Sequence, residues 1–275
     1  MHRNCPVCDT VMCTDSWHGY PVRTCPQCTL VSSLGFFSAQ DYDDYHHTSP
    51  FRSNFKEYVR IARVSLYEKV HYLALNSHIG NPNYSFLDVG CGPGVYLEAA
   101  GFLGWRAKGV DPDRVNSKWG VDRGLHIHTG SLTSANYDSA SVDFVQCKQV
   151  LEHIATPIET LSEVYRILAP GGLVQVDVPN QRSLSARAKI WARRHDYGFI
   201  QPPRHVLAYN ATSMHYALSI AGFQVCDVFN SYPGDSVYYP LPGRQRSYLL
   251  HRLASSLSLG SVLVAYARKP AYAPA

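Results

Sequence analysis

The stretch Phe86-Leu87-Asp88-Val89-Gly90-Cys91-Gly92-Pro93-Gly94 decides the fold. It starts as an apolar strand and then places glycine at three alternate positions. Glycine tolerates positive φ and lets a ligand approach the backbone closely. In an open α/β sheet, ligands bind at the C-terminal ends of strands, where this loop lies. Outward from it, strand patterns fall at 84–89, 106–111, 125–129, 142–147, 172–178, 223–229 and 261–267. Helical patterns at 94–103, 157–168 and 212–221 separate several of them. Alternation of this kind predicts an α/β fold with a mainly parallel sheet covered by helices.

A glycine-rich loop alone is a weak signal, because dinucleotide-binding dehydrogenases carry G-x-G-x-x-G. Here the spacing is Gly90-x-Gly92-x-Gly94 with Asp88 just ahead. Gly109-Val110-Asp111 ends the next strand, and a carboxylate there suits the two hydroxyls of a ribose. The loop resembles the first motif of class I S-adenosylmethionine-dependent methyltransferases, about D-x-G-C-G-x-G. Further matches follow in order. Val142-Asp143-Phe144-Val145 resembles the fourth strand, and Val150-Leu151-Glu152-His153-Ile154 the family's "LEHI" segment. Arg166-Ile167-Leu168-Ala169-Pro170-Gly171-Gly172 resembles the turn into strand five, and Ala221-Gly222-Phe223 the entry to strand six.

The resemblance covers about residues 84–230, and several motifs in register are far more specific than one. It implies a Rossmann-like, seven-stranded, mainly parallel sheet with the last strand antiparallel. It also implies S-adenosylmethionine as cofactor. The methionine end would lie near Asp88 and Gly90, the ribose on Asp111, and the adenine between strands three and four. Cys91, Gly92, Gly94, Pro112 and Lys148 complete the expected cofactor set. Many members place an acid after the glycine of the strand-three turn. Here Gly130 is followed by Ser131 and Leu132, so the Ser131 side chain or the Leu132 backbone is expected to meet the adenine.

Four of the eight cysteines form two knuckles, Cys5-Pro6-Val7-Cys8 and Cys25-Pro26-Gln27-Cys28. Doubled C-x2-C at this interval is zinc-ribbon spacing, since Zn²⁺ takes four thiolates tetrahedrally. About 30 residues cannot build a sufficient core, so the ion would supply folding energy. Cys5, Cys8, Cys25 and Cys28 are the expected ligands of a structural zinc. Cys13 lies outside the pattern, and nothing requires His18. The ribbon followed by Asp41-Tyr42-Asp43-Asp44-Tyr45 resembles bacterial methyltransferases with an N-terminal ribbon, several of which act on sugars, natural products or other small molecules. Ser49-Pro50 is a helix start signal. Phe55, Val59, Ala62, Leu66, Val70 and Leu73 then predict an amphipathic helix over 50–78. The expected domains are therefore a ribbon over 1–45, a linking helix over 46–80 and a methyltransferase domain over 81–275.

Methyl transfer from an activated sulfonium needs alignment above all. A hydroxyl or carbon acceptor also needs a base. His205, in Pro202-Pro203-Arg204-His205-Val206, is the first candidate and His153 the second. Related phenolic O-methyltransferases hold a divalent cation with the acid–histidine pair after strand four, and Glu152-His153 could hold Mg²⁺ in the same way. The competing reading has Glu152 in a cap or ion pair and His153 packed against the loop. Arg182, Arg187, Lys189, Arg193 and Arg194, with Trp191, form a basic helical insertion over 182–195. It could hold an anionic or sugar-linked acceptor, or simply present a solvated cationic face. Cys147 lacks the proline-cysteine context of pyrimidine methylation and reads as a small packed residue.

The 275-residue chain is 45% hydrophobic and 17% charged, with net charge +4. These values suit a globular protein and argue weakly against nucleic acid as acceptor. The opening Met1-His2-Arg3-Asn4-Cys5 lacks the apolar core of a secretory signal, and no stretch is apolar enough to span a bilayer. A cytoplasmic enzyme without membrane contact is expected. Two other readings compete. One is a ribosomal RNA guanine methyltransferase, whose ribbon carries a different ligand pattern. The other is a non-catalytic ribbon adaptor, against which the intact Asp88–Gly94 loop and Asp111 argue.

Overall fold

The structure, a computed structural model, describes residues 3–17, 20–33, 50–75, 84–191, 205–231 and 260–271. In chain order, β1 (Cys13–Trp17), β2 (Tyr20–Thr24) and β3 (Val31–Ser33) come first. Helices α1 (Pro50–Ser53) and α2 (Phe55–Leu75) follow. Next are β4 (Ser85–Val89), α3 (Val95–Gly101), β5 (Arg106–Asp111), α4 (Arg114–Val121), β6 (Ile127–Thr129) and β7 (Val142–Lys148). A 3₁₀ turn at Leu151–His153 leads to α5 (Pro157–Ile167) and β8 (Leu168–Pro179). The remainder is α6 (Leu184–Trp191), β9 (Leu207–Ala208), α7 (Ala211–Ile220), β10 (Gln224–Ser231) and β11 (Val262–Arg268).

Seven strands form one sheet in the order β10-β11-β8-β7-β4-β5-β6, with the last strand antiparallel. This is the Rossmann-like architecture expected from the motifs. β4 pairs in parallel with β5 on one side and β7 on the other. The chain order therefore reverses at β4, and its C-terminal end is where an α/β sheet opens a crevice for a ligand. The register Val89↔Val110 brings the glycine loop beside the end of β5.

The chain divides into two compact units, one made of residues 1–37, 149–162 and 176–267, the other of 38–148, 163–175 and 268–275. In the second unit, Phe86 stacks on Phe144 with ring centroids 5.6 Å apart, and Trp105 meets Tyr84 edge-on at 5.5 Å. Such aromatic pairs contribute about 0.5–1.5 kcal/mol beyond the area they bury. The repeat Phe55, Val59, Ala62 and Leu66 is buried as its spacing requires. Phe55 packs on Trp119 at 4.8 Å, and the Arg123 guanidinium lies over both rings. The single helix expected over 50–78 is interrupted at Asn54. Its carbonyl accepts from the amides of both Glu57 and Tyr58 and restarts the helix. Residues 76–78 and the Asp41–Tyr45 region lie outside the described residues.

In the first unit, β1, β2, β3 and β9 form a small antiparallel sheet. Its core is Val22, Val31 and Ala208. The N-terminal segment, too short for a core of its own, thus draws one apolar residue from a strand nearly 180 positions away (Val31↔Ala208).

Candidate functional site

The two knuckles repeat one pattern of backbone bonds. Cys5 N donates to Thr10 O and Asp9 N to Cys5 O; Cys25 N donates to Leu30 O and Thr29 N to Cys25 O. In each, the residue after the second cysteine takes positive φ, Asp9 at 57° and Thr29 at 61°. Both turns aim their sulfurs inward. Cys5 Sγ and Cys28 Sγ are 3.5 Å apart, Cys8 Sγ and Cys25 Sγ 3.4 Å, and all four sulfurs lie within 4.8 Å of one another. Tetrahedral zinc with Zn–S near 2.3 Å needs S···S edges of about 3.8 Å, so the donor set fits that ion. The Cys5 thiol is lowered to about 5 by its hydrogen bond with Cys28, while that bond and burial push Cys28 up. Thiolate character is what a metal needs here. Cys13 is exposed and stands apart, and His18 lies outside the described residues.

In the other unit, Gly90, Gly92 and Gly94 have φ of 73°, 52° and 85°. A Cβ on Gly92 would meet nothing within 4 Å, so this backbone faces open space. A Cβ on Gly94 would strike Leu125 Cδ1 at 2.5 Å, and one on Gly109 would strike Cys91 Sγ at 2.6 Å. Two of these glycines therefore serve packing, and Gly92 leaves room for a ligand. Asp111, buried at the end of β5, accepts from Gly92 N at 2.7 Å and Asp113 N at 2.8 Å. Burial pushes its carboxyl up to about 6 against the pull of those two amides. Each oxygen keeps a lone pair for a further donor. Asp88 is buried and accepts from Gln146 Nε2 at 3.0 Å. Cys91 is buried, with its thiol pushed well up by burial first and by Asp111 and Asp88 next.

At the β6 turn, Ser131 Oγ accepts from Ser134 N at 3.1 Å and Leu132 is buried. Lys148 Nζ lies 6.0 Å from the centroid of the Tyr96 ring, and Pro112 is exposed. Open backbone at Gly92 beside a carboxylate that can accept from two hydroxyls fits the ribose end of S-adenosylmethionine. Sequence reasoning missed α4, which Asp113 caps by accepting from Val115 N and Asn116 N. A Cβ on Gly120 of that helix would meet Pro93 O at 2.8 Å, so α4 sets the far wall of the glycine loop.

The third constellation is Glu152, His153 and His205, whose ligand atoms lie within 4.8 Å of one another. The two imidazole rings meet edge-on with centroids 4.8 Å apart. Both histidines singled out in the sequence thus meet at one place. Val206 N donates to Glu152 O at 2.9 Å, which ties the two segments together. Glu152 is 1% exposed, and neither carboxylate oxygen has a hydrogen-bond partner. His153 Nε2 lies 3.9 Å from Oε1. Burial pushes the Glu152 carboxyl well above its ordinary range. A buried carboxyl without partners is costly, and such a group marks a place where a ligand completes the site. One carboxylate with two imidazoles can hold a divalent ion, and the nitrogen donors suit Mn²⁺ or Zn²⁺ better than Mg²⁺. No hydrogen bond to either Glu152 carboxylate oxygen marks a cap, while His153 Nε2 lies at ion-pair distance from Oε1. Cys147 is fully buried at the end of β7, as a packed residue should be. Of the basic insertion, α6 is described. Arg182, Arg187 and Trp191 are exposed, and Arg193, Arg194 and Pro202-Pro203-Arg204 lie outside the described residues.

A family profile for a "Methyltransferase domain" matches residues 57–228. A Mycolicibacterium smegmatis protein named "Probable S-adenosylmethionine-dependent methyltransferase" is 30% identical over 152 residues, 54% of this chain and 55% of the relative. A "Ubiquinone biosynthesis O-methyltransferase" of Colwellia psychrerythraea is 26% identical over 151 residues, 52% of this chain and 58% of the relative. The chain thus spans little more than half the length of these relatives. A solved S-adenosylmethionine-dependent methyltransferase from Thermotoga maritima shares the fold, with TM-score 0.53 and 18% identity over 82% of this chain and 99% of that one. With the profile match running through the glycine loop, Asp111 and the Glu152–His205 cluster over more than half its length, the chain belongs to the methyltransferase domain family.

Proposed function

We propose that the protein transfers the methyl group of S-adenosylmethionine to an oxygen of a small-molecule acceptor: a sugar, a natural product or another metabolite. The observation that carries this reading is the cluster of His153, His205 and the unpartnered Glu152 carboxylate. Oxygen methylation needs a group that takes a hydroxyl proton, and an imidazole next to a buried acid is suited to it. His205 takes the proton of the acceptor hydroxyl. His153 packs edge-on against its ring, and the Glu152 acid lies within 4.8 Å of both imidazoles. Asp111 holds the cofactor ribose, the Gly92 backbone lets the cofactor approach, Asp88 and Gly90 flank its methionine end, and Ser131 and Leu132 meet its adenine. The bound cofactor supplies an electrophilic methyl group already primed for displacement. The name of the Colwellia relative supports oxygen as the acceptor atom. Exposed Arg182 and Arg187 support an anionic or sugar-linked acceptor.

A second reading has an observation of its own. The same three side chains form a donor set for a divalent ion, which would make an acceptor hydroxyl more acidic without a free base. Mn²⁺ titration of protein that keeps its one ribbon zinc separates the two, because the base reading gains no activity from the added ion. The test of the shared reading is transfer of labelled methyl to hydroxylated small molecules by wild type and His205→Ala. Turnover is expected to fall about 10²–10⁴-fold with cofactor affinity unchanged. Near-native turnover in the variant would remove His205 from the mechanism and leave His153 to be tested.

A further inference from the structure

The cysteine ribbon is not bound to the rest of its compact unit by apolar contact alone. Segment 205–210, which begins with His205, is bonded along its length to the ribbon's second knuckle and third strand. Ser33 N donates to Val206 O at 2.9 Å, and Val206 N donates to Glu152 O at 2.9 Å. One residue therefore takes a bond from the ribbon and gives one to the acid of the triad. β3 then pairs with β9 in the register Ser32↔Leu207 and Val31↔Ala208. Next to Cys28, Thr29 Oγ1 donates to Asn210 Oδ1 and Asn210 Nδ2 donates to Thr29 O, both at 3.1 Å. The same Asn210 side chain caps α7. Between these points, Tyr209 is fully buried with its hydroxyl unpartnered, close enough to Glu152, Cys5 and Cys28 to feel their charges.

We propose that the four-cysteine ribbon is the positioning element of the Glu152–His153–His205 site: metal held by its thiolates stiffens the second knuckle, and the knuckle holds the strand that sets His205 against Glu152. This rests on reading that cluster as the acceptor site. Without a bound ion the knuckles lose the crosslink that fixes their turns. The bonds from Thr29 and Ser33 then have no rigid base, and segment 205–210 frays with its donors released to water. The glycine loop and Asp111 belong to the other compact unit. Zinc loss should therefore disable the acceptor side and spare cofactor binding.

The test is backbone hydrogen exchange on the full chain, in the zinc-loaded protein, the zinc-stripped protein and Thr29→Val. The last is isosteric and keeps all four thiolates. The amides of Val206, Leu207 and Ala208 are expected to exchange at least about tenfold faster after zinc removal, and several-fold faster in Thr29→Val, as for loss of one hydrogen bond. The amides of Leu87 and Val89 should keep their rates, and S-adenosylmethionine affinity should stay within about twofold. Mn²⁺ binding, read by its electron paramagnetic resonance signal, should weaken about tenfold in Thr29→Val. Unchanged exchange at 206–208 after zinc removal overturns the proposal. So does a uniform rise that includes Leu87 and Val89 and takes cofactor affinity with it, since that is plain loss of stability. If Mn²⁺ fails to bind even the wild type, the metal reading of the triad falls, and the exchange rates alone decide this inference.

Discussion

Two buried carboxyls have opposite duties. Asp111 is engaged by two amides and still sits near a carboxyl value of about 6, because burial outweighs those bonds. In the cofactor-free protein its folded value is above its unfolded one. Its contribution to stability is therefore fully present at low pH and is lost as pH rises from about 4 to about 6. On the proposed ribose contact the hydroxyls donate to the ionised form, so cofactor affinity should run the other way and drop as pH falls below about 6. Calorimetry from pH 5 to 8 checks this, and a flat profile in the wild type would contradict it. Asp111→Ala should cost about 1.5–3 kcal/mol for each charge-assisted bond lost. The Glu152 carboxylate oxygens have no hydrogen bond to lose. Glu152→Gln should leave the melting temperature at or above that of the wild type, because no ionisable group then remains in that buried position. Turnover or Mn²⁺ binding should fall at least tenfold. A large drop in melting temperature would show that the acid is a structural partner instead.

At the scale of elements, the glycine loop pairs a position closed by packing, Gly94, with an open one, Gly92. Gly94→Ala meets Leu125 Cδ1 at 2.5 Å with φ at +85°, and should destabilise the fold by about 1–3 kcal/mol. Gly92→Val has open space around its Cβ. Its cost in stability should be confined to the backbone strain of a β-branched residue at positive φ, while cofactor binding should be lost. Denaturant melts paired with cofactor titrations read both, and equal affinity in Gly92→Val and wild type would contradict the assignment. Much of this was legible beforehand. The strand expected over 106–111 is β5 with the same bounds, and the helix over 157–168 is α5, because buried Leu161, Val164 and Ile167 follow a helical period. Less legible was α4, which carries Val115 and Trp119 without a full apolar stripe and depends on the Asp113 cap. The two-residue β9 was hidden too, since so short a strand has no period, and only its pairing with β3 defines it. The meeting of His153 with His205 likewise follows from the Val206–Glu152 bond, between residues more than 50 positions apart.

At the scale of the whole molecule, a four-cysteine cluster and a methyltransferase domain share one chain, and no helix among the described residues is long and apolar enough to cross a membrane. Gently purified protein should hold about one zinc per chain by elemental analysis, with all four positions filled by thiolate and none left for an activated water. Cys28→Ser should lower the zinc content sharply, and a native, zinc-free wild type would count against the ribbon. The most direct measurement of what the chain does is the fate of a labelled methyl group. S-adenosylmethionine carrying ¹³C in its methyl is incubated with the protein and a metabolite extract, which is then split into small-molecule and macromolecular fractions. The label should appear in the small-molecule fraction as a methyl ether, with far less transferred by Asp111→Ala and by His205→Ala. Label in RNA or protein, or no transfer above the rate without enzyme, would contradict a small-molecule O-methyltransferase.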